Sequence, residues 1–110
     1  MTTWAETTNY LADRGNHYGL SAQDLLNQTP DLIQDNPAAI LTFWQDKDIS
    51  HVLPTSTNPH LAGDASNIFP EDPGINRARQ DEPVSPLERL EAWADNQLDA
   101  IKATLHWPLS

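Results

Sequence analysis

The most regular pattern of apolar and polar positions lies near the C-terminal end of the chain. Leu87, Leu90, Ala94, Leu98, Ile101 and Leu105 recur at steps of three and four residues, and Trp93 widens the stripe. Ser85-Pro86-Leu87-Glu88 stands in front of it, combining an N-cap, a proline at the first helical position and a capping-box glutamate. This predicts an amphipathic helix of about five turns, ended before Pro108. The same reasoning places three shorter helices upstream. Thr3 with Glu6 forms a capping box and Gly15 is a stop, so a helix is expected over roughly 3–13, with Trp4, Leu11 and Tyr10 as a thin stripe. Ser21 caps a second helix that Pro30 ends. Asn36 caps a third, with Pro37 at its first position and Ala39, Ile40, Phe43 and Trp44 on one face, a core pattern.

Between residues 47 and 80 the rhythm changes. Pro54, Pro59, Pro70 and Pro73, with Gly63 and Gly74, exclude long helices before residue 74. Two short apolar runs remain, Ile49-Ser50-His51-Val52-Leu53 and Asn67-Ile68-Phe69, each the length of one strand. They predict a two-stranded antiparallel hairpin, with strands near 48–53 and 67–70 and a polar loop between, followed by a short helix after Gly74. The fold class is α+β and mostly helical. A single domain is expected over 1–110, divided into a helical part (1–46), a strand–loop–strand–helix segment (47–80) and a C-terminal helical part (81–110).

Composition narrows the chemistry. The chain has 110 residues and no cysteine, which removes disulfides, thiolate catalysis and Cys-ligated zinc. No run of 18 apolar residues occurs, so no membrane-spanning helix is expected, and the first ten residues lack the pattern of a secretory signal. A cytoplasmic or phage-associated location is expected. The formal charge is −10, from 6 basic and 16 acidic residues, which opposes general attraction to nucleic acid and anionic lipid. That charge is uneven. Residues 47–80 carry Asp48, Asp64, Glu71 and Asp72 against Lys47, Arg77 and Arg79, so almost all of the excess lies on the flanks.

Of four histidines, His17, His60 and His106 sit in polar or helix-terminal contexts that suit surface or structural roles. His51 differs: it closes the first candidate strand and precedes the long loop. Asn67 opens the second strand, and Asn76 lies on the following helix. The His-x-x-Pro turn (His51 to Pro54), the Ser-Asn-Ile run at Asn67 and the Asn76-Arg77-Ala78-Arg79 run form an ordered set. That set resembles the HNH endonuclease family, or ββα-metal fold, over about 34 of the 110 residues.

The resemblance implies roles one position at a time. His51 stands at the general base that activates water against a phosphodiester, a task suited to an imidazole with an ordinary pKa near 6.5. Asn67 stands at the position that orients this histidine and pins the loop. Asn76 stands at a ligand position for a divalent ion (Mg, Mn, Ni or Zn), which would neutralise charge building on the phosphate. The sequence departs from the family at Ser50, where a carboxylate or imidazole ligand usually stands. A hydroxyl is a poor ligand for a hard cation, and Asp48, on the same strand face, is the nearest carboxylate to take its place. Arg77 and Arg79 are candidate phosphate contacts, or else surface charges paired with Asp81 and Glu82.

Three functions compete. The first is an HNH-type metal-dependent endonuclease or nickase acting on DNA, of phage or bacterial type, with weak nonspecific DNA affinity. The second is an HNH-derived accessory or assembly protein that kept the fold and lost the metal, with the C-terminal helix as a possible surface for a protein partner. The third is an acidic DNA mimic, supported by total charge alone.

Overall fold

The computed structural model describes residues 2–106. Five α-helices and two strands run in the order α1 (Trp4–Asn16), α2 (Ala22–Asn27), α3 (Pro37–Gln45), β1 (Asp48–His51), β2 (Ile68–Glu71), α4 (Pro73–Arg79) and α5 (Pro86–His106). The expected class is what forms: a mostly helical α+β fold with one antiparallel hairpin and a long C-terminal helix. The expected stop before Pro108 lies outside the described residues, as does the side chain of His106.

Local chemistry sets the helix starts. Thr3 accepts from the Glu6 amide at 3.1 Å, and Asn36 accepts from Ala39 at 3.0 Å. Ser21 with Asp24, and Ser85 with Glu88, form reciprocal capping boxes that satisfy two orphan amides each. Asp72 caps α4 through the Ile75 amide, with Pro73 at the first helical position. α1 runs three residues beyond the expected end. It turns off through Gly19, whose φ of +79° is the left-handed region that favours glycine.

The core gathers one face of four helices: Leu11 from α1, Leu25 from α2, Ile40, Phe43 and Trp44 from α3, Ala100 and Ala103 from α5, with Ile49 and Ile68 from the hairpin; α4 adds no buried residue. Trp44 is fully buried and its indole N–H donates to Thr29 at 2.9 Å, so the ring is held without an unpaired donor. Arg14 crosses from α1 and donates to the Trp44 and Lys47 carbonyls at 2.9 and 2.6 Å, tying the end of α3 to the start of β1.

α5 is the main surprise. Its apolar stripe faces solvent, and it packs on the domain through the small side chains Ala92, Asn96, Ala100 and Ala103. Lys47, almost completely buried, fixes the helix laterally through Asp99 at 2.6 Å and Asp95 at 3.3 Å. Asp95 and Asp99, on the polar side of the helix, are therefore structural anions. Trp4, assigned to the stripe of α1, is also half exposed.

Candidate functional site

The hairpin pairs Asp48 with Glu71, Ile49 with Pro70, Ser50 with Phe69 and His51 with Ile68. Strand alternation therefore puts Asp48, Ser50, Phe69 and Glu71 on one face and Ile49, His51, Ile68 and Pro70 on the other. The two sets meet different neighbours. α4 follows β2 after one residue and lies over the first face, bringing Asn76 to β1.

On that face the side chains satisfy one another. The Ser50 hydroxyl lies 2.9 Å from Asn76 Oδ1 and 3.0 Å from Glu71 Oε1. Asn76 Nδ2 donates to Asp48 Oδ2 at 3.0 Å, which orients the amide with its oxygen toward Ser50. Arg77 adds two donors to the Asp48 carboxylate at 3.2 Å each. Glu71, almost completely buried, is held by a two-pronged Arg79 guanidinium, with Nη1 2.6 Å from Oε1. Arg79 donates its remaining Nε–H to Glu88 at 2.9 Å. A single hydroxyl proton cannot serve two acceptors at once. Arg79 already satisfies Glu71 Oε1, so Asn76 is the acceptor that needs the Ser50 proton.

These pairings set the local electrostatics. Glu71 pushes the Arg79 guanidinium above its usual pKa, chiefly by accepting its hydrogen bonds. Glu88 is lowered from 4.5 to about 2, first by the Ser85 amide that it caps and then by Arg79. The partners anticipated for the two arginines, Asp81 and Glu82, are not the ones they take. Arg79 is only 6% exposed and closed within its ion pairs, while Arg77 is 74% exposed and open to solvent beyond Asp48.

His51 lies on the opposite face. Its Nε2 is 3.0 Å from the Ala62 carbonyl, which requires a proton on Nε2 and leaves Nδ1 as the acceptor nitrogen of the neutral ring. Tyr18 packs edge-on against it at 4.7 Å between centroids, and His17 packs on Tyr18 at 4.8 Å. Asn67 clamps the loop: its Oδ1 accepts from the Leu53 amide at 2.9 Å, while Nδ2 donates to the Leu53 and Leu61 carbonyls. The loop closes on the helical part at Gly63, where a Cβ would lie 2.9 Å from the Tyr18 carbonyl oxygen. Asn67 thus acts on His51 through the loop that carries Ala62, and the two side chains share no hydrogen bond.

The structure thus brings Ser50, Asp48 and Asn76 together, and places His51 and Asn67 at the loop side of the same hairpin. Sequence reasoning missed Glu71, which carried no motif, and Tyr18 and His17, which reach the hairpin only by tertiary packing. A cleft of about 430 Å³ opens beside them, lined by Asp13, Arg14, His17, Tyr18, Asp48 and Asn76.

A divalent ion asks for several oxygen ligands with net negative charge. Here the two carboxylates already carry guanidinium partners, and residue 50 offers a hydroxyl. An ion at this end would have to displace Arg79 from Glu71 or Arg77 from Asp48. Among the described residues, no three His, Asp or Glu side chains converge to hold a metal. The donor set as arranged fits guanidinium cations better than a hard metal ion. None of the described helices is long and apolar enough to cross a membrane. Comparison with protein-family models, with curated proteins and with solved structures finds no match to this chain.

Proposed function

We propose that this chain is an HNH-like ββα protein whose metal-binding end has become a protein-only hydrogen-bond network, and that it works as an accessory or assembly protein. One observation carries this reading: Arg79 occupies the buried Glu71 carboxylate with two hydrogen bonds, beside Ser50 at the position of a metal ligand. A carboxylate neutralised in this way has little remaining attraction for a second cation. The flanking acidity agrees, since it would repel a DNA backbone brought to the hairpin.

A metal-dependent endonuclease or nickase acting on DNA is the second reading, and His51 favours it. Its Ala62 contact fixes the tautomer with Nδ1 free to accept a proton, the state that a general base requires. In that reading His51 takes a proton from water, Asn67 holds the loop that orients it, and Arg77 supplies a solvent-facing phosphate contact. The DNA-mimic reading gains no positional support beyond the charge.

A plasmid-nicking assay with Mg, Mn, Ni and Zn, run on the natural chain and on His51→Ala, separates the two. The accessory reading expects background nicking from both proteins. Metal-dependent nicking by the natural chain that falls about 10²–10⁴-fold in His51→Ala would overturn it and establish the nuclease.

A further inference from the structure

The outward face of α5 carries Leu87, Leu90, Leu98, Ile101 and Leu105, each 45–65% exposed; Trp93, also exposed, lies at the edge of the buried side beside Phe69 and Arg89. Scattered exposed leucines are ordinary, but five large apolar side chains on one helix face are not. This patch is on the scale of the roughly 300–600 Å² at which exposed apolar surface marks an interaction site. The buried residues Ala92, Asn96, Ala100 and Ala103 lie on the opposite side of the helix, so the stripe points directly away from the domain.

We propose that a second copy of this chain covers this face, with the two α5 helices antiparallel. Leu87, Ala94, Leu98, Ile101 and Leu105 fall at alternating seam positions of a heptad pattern, the spacing that lets two helices share a seam. Turned antiparallel, the seam is complementary to itself: Leu98 meets Ala94 of the second copy, and Leu105 meets its Leu87. Glu91 is the one polar seam residue. In this arrangement it lies level with Lys102 of the second copy, and Glu88 lies close to the same lysine. A parallel pair would instead set Glu91 against Glu91 in the seam. Lys102 is 78% exposed, and its ion contact among the described residues is a long one, 3.8 Å to Asp99.

The rest of the fold permits the pairing. Because the domain lies behind each helix, two copies joined at this face place their bodies on opposite sides, with no overlap. α5 has 21 residues, so the shared seam is about 30 Å long. The charge of −10 per copy opposes association. At physiological salt, however, screening over about 8 Å confines that repulsion to the nearest groups: Lys102 faces Glu88 and Glu91, and Asp95, which meets its own counterpart near the two-fold axis, is already paired with Lys47. The inference does not depend on whether the hairpin end binds a metal.

Sedimentation of the full chain over a range of concentrations tests it. The expected species is a dimer of the 12.3 kDa chain that dissociates on dilution. Leu98→Lys should raise the dissociation constant by at least ~100-fold, since two buried leucines are lost per dimer. Its far-UV circular dichroism should match the natural chain, because Leu98 is 59% exposed and lies opposite the buried side of the helix. Lys102→Glu should weaken the dimer by about 10-fold, and adding Glu91→Lys in the same chain should restore most of that loss. A monomer at every concentration overturns the proposal, as does a dimer indifferent to Leu98→Lys. Failure of the charge exchange to restore binding overturns the antiparallel register.

Discussion

Replacing Arg79 by methionine would strand the Glu71 carboxylate in the interior. The Glu71 side chain is 2% exposed and that of Arg79 6%, so neither partner is well solvated in the folded state. Breaking such a pair from one side typically costs about 3–5 kcal/mol, against about 0–1 for an exposed pair. Glu88, the other partner of Arg79, is 40% exposed and simply returns to water. Ser50 can offer Glu71 one replacement hydrogen bond by turning from Asn76. These two allowances place the expected loss for Arg79→Met near the lower bound, at about 3 kcal/mol. For a domain of this size that is a fall in Tm of roughly 10–15 °C. Urea titration followed by the fluorescence of the buried Trp44, alongside calorimetry, reads it directly. Glu71→Gln in the Arg79→Met background removes the stranded charge and should return the chain to within about 1.5 kcal/mol of the natural protein. A loss below about 1 kcal/mol for Arg79→Met would refute the reasoning, because it would equal that of a solvated surface pair. So would a double variant no more stable than the single one.

Ser50→Asp puts a third carboxylate against Glu71 and the Asn76 oxygen at a site that is 1% exposed, and it should cost about 2–4 kcal/mol in the absence of divalent ions. If residue 50 faces a latent cation position, manganese should recover part of that stability in a thermal melt of the variant but leave the natural chain unmoved; no recovery removes residue 50 from any metal site. Asn67→Ala deletes the clamp on Leu53 and Leu61 and should cost about 2–3 kcal/mol, with faster amide exchange across residues 52–66; unchanged exchange would mean that the loop is held elsewhere. Glu88 is lowered in the folded chain, so its contribution is complete above pH 4.5 and is lost as pH falls toward about 2. Glu88→Gln should therefore flatten the loss of stability in acid over that window, and identical acid curves for the two proteins would contradict the assignment.

Much of this fold is local chemistry and was open to reading from the chain alone. Thr3, Ser21, Asn36 and Ser85 start helices because a side-chain oxygen next to an apolar repeat satisfies orphan amides whatever the rest of the molecule does. The proline and glycine density after Pro54 left only short extended runs, and the two strands form within three residues of the expected bounds. Along the chain His51 ends β1 and Asn76 lies on α4 as expected, whereas Asn67 ends a short 3-10 turn one residue before β2 instead of opening the strand. Periodicity also announced that α5 has an apolar stripe, but a repeat has no sign: it does not say whether the stripe turns inward or outward. That was decided by tertiary packing, where Ala100 and Ala103 meet the core formed with α3 while the buried Lys47 draws Asp95 and Asp99 to itself. The chemistry at the hairpin was settled in the same way. Ser50 was visible as a departure from the family pattern. That Arg79 would close on Glu71, and Arg77 on Asp48, depended on where α4 lies across the strands, and charged side chains have no periodicity that names a partner brought near by the fold.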